Sequence, residues 1–376
     1  MANRYRTELT AMPPVRIRVG RNGLETSIDW GGYKPNLSET VVRGLRTIGD
    51  SRLAGPLPTD RFIIPGTEQR FGGGDVSAMT SPGLSSFKLL LQGARQREIE
   101  IRADIRRVKW LQAFAWMNKA LTWGTLMAAV GSLRRNADQK LARRRSEIAA
   151  LRANLETTTI SVDFDMNSEI ADPHVRMQVG FDELMRCARA WSVTTQHQID
   201  RVRARSWAGT IVNRSPAMLT RKTDSLVGTM DLPPAILIQG GHATAYFYPG
   251  FILVVDVKRK DFATIDVTDV DVRWAQSRFT EVELPPTDSS LVGTTWAKAN
   301  KDGSRDRRFS HNRELPILLY GELRLEGPGG FRESLLFSKP DGCAIFAAAF
   351  QDLKKLLAAG RRPRGVEAQG RLNSPR

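Results

Sequence analysis

Residues 15–19, Val-Arg-Ile-Arg-Val, alternate apolar and arginine side chains and then meet Arg21-Asn-Gly23. Period-two alternation predicts a half-buried strand, and Asn-Gly supplies the positive φ of a type I′ turn, so Leu24–Trp30 is expected to return as a second strand. A Gly/Pro/Thr-rich passage follows and fades into a linker at about Gly72–Gly83. From Leu84 the texture changes. Phe87–Leu155 is rich in Ala, Leu, Arg, Glu and Gln, and Ile99, Ile101, Ile105, Val108, Leu111 and Phe114 recur mostly at spacings of three and four. This predicts two or more amphipathic helices, a helical hairpin turning near Gly131-Ser132. Thr157–Phe164 reads as extended, and Phe181–Arg205 as a further helix. Beyond Leu232-Pro-Pro234 the runs become β-branched and turn-punctuated: Ala235–Ile238, Ala243–Tyr248, Phe251–Val257, Phe262–Val272, Leu315–Leu325 and Phe331–Ser338. Cys343–Leu357 then carries Ile345, Phe346, Phe350, Leu353, Leu356 and Leu357 at helical spacing.

These elements predict an α+β chain. We expect a small β domain over 1–71, a Gly/Ser/Pro linker over 72–83, and a basic helical segment over 84–160. A mixed, partly helical connector over 161–234 leads to an antiparallel β-rich domain over 235–359, closed by its C-terminal helix, and 360–376 forms a disordered basic tail. Several antiparallel strands followed by one amphipathic helix have the layout of pleckstrin-homology-like domains.

Composition adds one point. Of 376 residues, 41% are hydrophobic and 26% charged, ordinary for a globular chain, but the formal net charge is +16. Residues 84–160 hold 15 basic and 6 acidic side chains and the tail 354–376 holds 7 and 1, whereas 161–353 holds 23 and 25. Basicity is therefore local to the helical middle and the tail, the regions suited to polyanions. The two cysteines, Cys187 and Cys343, support neither a disulfide framework nor a zinc knuckle. The opening MANRYRTEL lacks the apolar core of an export signal, so a cytoplasmic protein is expected.

Candidate chemistry is sparse. His174, His197, His242 and His311 do not cluster, and no Ser or Cys sits in a nucleophile elbow, so no catalytic residue, metal or cofactor is expected. Phe71-Gly-Gly-Gly-Asp75 lacks the Gly-Lys-Ser/Thr ending of a phosphate loop and reads as linker. Asn300–Asp306 spaces oxygens like a calcium loop, but its glycine, Gly303, comes fourth rather than sixth. Asp302-Gly303 is a turn dipeptide. After it, Arg305, Arg307 and Arg308 form a positive edge. Two readings stay open there: an anion- or partner-binding loop, or an ordered turn in which Asp306 and the arginines pair internally.

The run containing Arg134, Arg135, Arg143, Arg144 and Arg145 is the candidate polyanion contact, without interleaved aromatics or a helix-turn-helix, zinc-finger or RNA-recognition motif beside it. Trp110–Leu133 is the most membrane-like stretch. Asn118-Lys119 interrupts it, leaving about 14 uninterrupted apolar residues where a span needs about 20. It reads as a buried helix or self-association surface in preference to a membrane contact.

Two regions carry a resemblance. Residues 15–28, VRIRVGRNGLETSI, with Ile64-Pro-Gly-Thr67 after them, make the first 71 residues similar to the bacterial family of domain of unknown function 4236. Pro13-Pro14, Arg18 and Thr67-Glu68-Gln69 depart from that family's pattern. Tyr246–Pro249, Trp296, Asn300–Phe309, Asn312–Pro316 and Tyr320–Glu322 occur in the order found in an uncharacterised bacterial module, so about 235–357 resembles it. The resemblances imply a modular, bacterial, non-secreted protein and bring no activity. The expected function is a non-catalytic binding or scaffold protein recognising a protein or anionic partner, with association at a membrane surface not favoured. The alternative is nucleic-acid binding through the basic helices and tail. A buried acid pair with shifted pKa values would instead indicate an enzyme.

Overall fold

The computed structural model describes residues 15–20, 23–28, 68–123, 131–156, 160–166, 168–198, 210–224, 226–229, 232–258, 261–300 and 302–360. The elements are β1 (Val15–Gly20), β2 (Gly23–Ile28), β3 (Gln69–Arg70), α1 (Ser85–Trp123), α2 (Gly131–Glu156), β4 (Ile160–Met166) and α3 (Ser168–Met185). They continue as β5 (Ala190–Gln198), β6 (Thr210–Pro216), β7 (Leu219–Arg221), β8 (Val227–Gly228), β9 (Pro234–Ile238), β10 (Ala243–Tyr248), β11 (Phe251–Asp256) and β12 (Phe262–Asp266). The last are β13 (Asp271–Thr280), β14 (Ser290–Trp296), β15 (Glu314–Glu326), β16 (Arg332–Phe337) and α4 (Asp341–Gly360).

Two antiparallel sheets form the body. The first has the order β12-β11-β10-β9-β7, and the second runs β13-β15-β16-β5-β3, with β14 on β15 and β6 on β5. A third sheet, β2-β1-β4-β8, pairs β1 antiparallel with β2 and parallel with β4. Every residue of β10 and β12, and all of β11 up to Val255, is buried. That explains why these strands read as unbroken apolar runs: both faces are covered. On one face Phe87 of α1 meets Phe251 at 5.2 Å, and Phe164 of β4 lies 6.0 Å from Tyr248. On the other, Phe247 meets Phe346 of α4 edge-on at 5.8 Å. The same core takes in Leu323, Leu325, Leu335 and Phe337 from the second sheet.

Helix α4 buries Cys343, Phe346, Ala347, Phe350, Leu353 and Leu357, a stripe at spacings of three and four. Ile345, expected in that stripe, is instead 40% exposed. Helix α3 packs across α4 at two glycines. A Cβ at Gly180 would stand 2.6 Å from the Phe346 backbone nitrogen, and one at Gly342 would stand 2.9 Å from that of Leu184. The helix backbones therefore meet where side chains are missing.

The β-rich region closed by a helix is present as expected, with two qualifications. The core does not begin at Ala235: β3, β5 and β6 extend the second sheet, β7 edges the first, and one apolar cluster runs from Val76 to Leu357. Residues 72–83 are packed, not a free linker. Asp75 Oδ1 accepts from the Ser77 amide at 3.0 Å, capping a 3₁₀ turn at Val76–Met79, and Met79 is fully buried. The helix expected over Phe181–Arg205 ends at Met185, and Ala190–Gln198 is strand β5, because Trp191 and Val193 pack against the second sheet. Phe262–Val272 is broken at Asp266, whose carboxylate accepts from the Thr268 amide at 2.9 Å and starts a 3₁₀ turn. Strands β1 and β2 form the expected hairpin across residues 21–22. Gly131 and Ser132, where a turn is expected, open helix α2; residues 124–130 before them and the tail from 361 lie outside the described residues.

Adding one methyl at the α3–α4 crossing should force the helices apart. Gly180→Ala is expected to cost about 1–3 kcal/mol, seen as a lower midpoint in urea denaturation. An unchanged midpoint would show that the close approach is not needed.

Candidate functional site

The Arg305–Arg308 edge is an ordered turn. Asp302 Oδ1 accepts from the Ser304 amide at 3.0 Å and hydroxyl at 2.7 Å, which holds its carboxyl below the ordinary range. Gly303 takes φ 86°, where glycine is favoured. Asn312 clamps the loop, its amide donating to the Lys298 carbonyl at 2.6 Å and its oxygen accepting from the Lys298 N–H at 2.9 Å. Buried Asp306 accepts from Arg308 Nε at 2.8 Å and Nη2 at 2.6 Å. Arg305 lies over the Trp296 ring at 5.3 Å. Only Arg307 of the three projects with no ion pair or side-chain hydrogen bond among the described residues. Asp302 Oδ1 and both Asp306 carboxylate oxygens accept within the turn, and no group of three or more metal-ligating side chains occurs among the described residues.

The structure also assembles polar groups that the sequence reading missed, because β5 and β6 were not recognised as strands. Their contacts cross the back of the second sheet. Arg214 of β6 lies between the Trp191 and Phe279 rings, 4.1 and 4.4 Å from their centroids, and its Nη2 donates to both Glu281 oxygens at 2.8 Å. Tyr320 donates to Glu281 at 2.7 Å. Burial raises the Glu281 pKa, but the bonds from Arg214 and Tyr320 outweigh it and hold the carboxyl below its ordinary value. Beside it, Arg324 Nε donates to Glu322 at 2.6 Å and Nη2 to Gln196 at 2.8 Å. Both carboxylates are engaged by their arginines, as in structural ion pairs, although Arg214 Nη1 is buried without a hydrogen-bond partner.

Glu333 of β16 is different. It is 1% exposed, accepts from the Gln239 amide at 3.2 Å through Oε2, and leaves Oε1 without a partner. Burial pushes its pKa up to about 7. Gln239 itself holds φ 54°, a left-handed conformation uncommon outside glycine. Gly72 packs so closely there that a Cβ would lie 2.9 Å from the Gln239 Cα, and one at Gly74 would lie 3.0 Å from the Gly330 carbonyl oxygen, so packing requires glycine at 72 and 74, while Gly73 borders open space. Glu281 is thus held low and Glu333 pushed up, and the two share no hydrogen-bond partner.

Helices α1 and α2 pack on one another. The start of α1 is anchored on the first sheet by Phe87, Leu91 and Ala94, and Ile101, Ile105 and Val108 then face α2, where Leu141 and Ile148 are buried. Beyond Val108 no described side chain of α1 is buried. Trp110 is 72% exposed, Trp116 64%, Met117 56% and Phe114 48%. Of the two readings of Trp110–Leu133, the buried helix is not found at the described side chains up to Met117, where α1 outruns the sheet it packs on, and the self-association surface stays open. Arg143 and Arg145 are exposed, and Arg144 pairs with Glu147 at 2.9 Å. The side chains of Arg134 and Arg135 lie outside the described residues. No described helix is long and apolar enough to cross a membrane.

The four histidines stay apart. His174 is buried and lines a cavity of about 100 Å³ with Phe164, Gln178, Phe247 and Tyr248, while His197 and His311 are exposed. Ligand pockets run to about 300–1,000 Å³, and this space is a packing gap at the junction of β4, α3 and β10. Both cysteines are free. Compared with known proteins, the chain matches no family model, no curated protein and no solved structure.

The Glu333 carboxyl titrates near 4.5 when unfolded and near 7 when folded. A raised acid pKa gives stability that is complete below pH 4.5 and is lost as pH rises through 7. The loss is on the order of 3 kcal/mol at most. Glu333→Gln should flatten this slope, measured by denaturant titration at several pH values. An unchanged slope would contradict the assignment.

Proposed function

We propose that this is a non-catalytic binding protein that recognises an anionic partner through its cationic helical hairpin, with the two-sheet body as scaffold. One observation carries the reading. Arg106, Arg107, Lys109, Lys140, Arg143 and Arg145 are exposed on α1 and α2 and make no ion pair among the described residues. The nearby acids are largely engaged: Glu98 with Arg102 at 2.6 Å, Glu147 with Arg144 at 2.9 Å, and Glu100 with Gln96 at 2.9 Å. Such a surface raises the local concentration of anions and steers their approach. By contrast, Arg305 and Arg308 are held by their own loop. The resemblances of 1–71 to the unknown-function 4236 family and of 235–357 to a bacterial module belong to this proposal, as does a cytoplasmic setting. They add no chemistry to it.

Retention of the full chain on immobilised heparin tests the reading. Reversing Arg106, Arg107, Arg143 and Arg145 to Glu is expected to weaken binding at least about tenfold and flatten its salt dependence. Reversing Arg305, Arg307 and Arg308 should leave it unchanged. Loss of retention in the loop variant alone would overturn the proposal. Equal effects of the hairpin variant on DNA duplexes of unrelated sequence would point to nucleic acid as the partner.

A further inference from the structure

The exposed end of α1 has a second property besides charge. At about 100° per residue, Arg106, Arg107, Trp110, Phe114 and Met117 fall within an arc of about 100° on one face, spanning about 16 Å of helix. Trp110 and Phe114 stack on each other, their centroids 6.2 Å apart and their planes within 5°. The apolar end of the stripe thus points away from the body, and a pair of guanidinium groups sits one turn closer to it. No carboxylate occurs between Arg106 and Lys119.

We infer that this stripe seats on an anionic lipid surface. Trp110, Phe114 and Met117 enter the boundary between headgroups and acyl chains, and Arg106 and Arg107 contact the lipid phosphates. The inference rests on the anionic-partner reading and names its partner. Two features of the stripe select lipid. Tryptophan is favoured at the membrane–water interface, where an amphipathic ring meets both phases. An interfacial helix needs an apolar stripe with basic residues beside it, and its affinity sums apolar burial with attraction to anionic headgroups. A second copy of the chain fits less well. Pairing the stripe with itself would leave its guanidinium groups with no carboxylate in the stripe to receive them.

The test uses the full chain and vesicles of pure phosphatidylcholine or of phosphatidylcholine with one quarter phosphatidylserine. Flotation measures binding, quenching by brominated acyl chains reports tryptophan depth, and circular-dichroism melting confirms that each variant is folded. The wild type is expected to float with the serine-containing vesicles only, and with quenching. Trp110→Ser/Phe114→Ser should lose more than about tenfold in vesicle affinity while keeping its heparin retention and melting curve. Arg106→Gln/Arg107→Gln should weaken binding to the anionic vesicles by about tenfold or more. Heparin retention without flotation would overturn the lipid assignment and leave the anionic-partner reading standing. Absence of both would remove both. Flotation undiminished in Trp110→Ser/Phe114→Ser would also overturn it, since charge alone would then suffice. A wild-type dimer that does not float, and that those two substitutions dissociate, would identify the stripe as a self-association surface instead.

Discussion

The contact between α3 and α4 organises this molecule. Helix α4 fills the space between the two antiparallel sheets, with Phe346 set among Phe181, Phe247 and Phe350. Burying an aromatic side chain in this way is worth several times the thermal energy, but only if the helix is held at the right depth. Gly180 and Gly342 set that depth by letting the two backbones approach where a Cβ would collide. Arg221 then ties α3 to β7, donating to Asp182 at 2.8 Å and to the Gln178 carbonyl at 3.0 Å. The sheets, the connector and the closing helix therefore depend on one another.

The second sheet solves a related problem on its back face. A sheet with one face on the core ordinarily shows the other to water. Here part of that face carries a second apolar cluster, with Phe71, Trp191, Tyr320 and Leu336 all buried. Arg214 closes it by stacking on two rings while Glu281 neutralises it. Removing one partner of such a pair leaves a buried charge uncompensated, which is why these residues belong to the architecture.

Much of the fold was legible where a local pattern fixes a local structure. The runs at 243–248 and 251–256 gave their strands directly, and Asp302-Gly303 gave its turn. What escaped was set by distant partners. Ala190–Gln198 looks helical beside the true helix α3 and becomes a strand only because β16 offers it an edge. Gly72–Gly74 looks like a linker until Gln239 is placed against it. Internal pairing of Asp306 with the arginines is one of two readings the sequence leaves open, and in the fold Asp306 pairs with Arg308. Whether Trp110 is covered could not be read from periodicity, which says which face is apolar and not what packs on it.

On this account the two-sheet body presents a hairpin whose charge and aromatic stripe do the binding, and the loop at 302–314 is scaffold. Hydrogen–deuterium exchange of the full chain, with and without phosphatidylserine-containing vesicles, addresses that division directly. The account predicts that protection is gained within 97–117 and 138–152 and is unchanged over 302–314. Protection gained at 302–314 with the hairpin unaffected would contradict it.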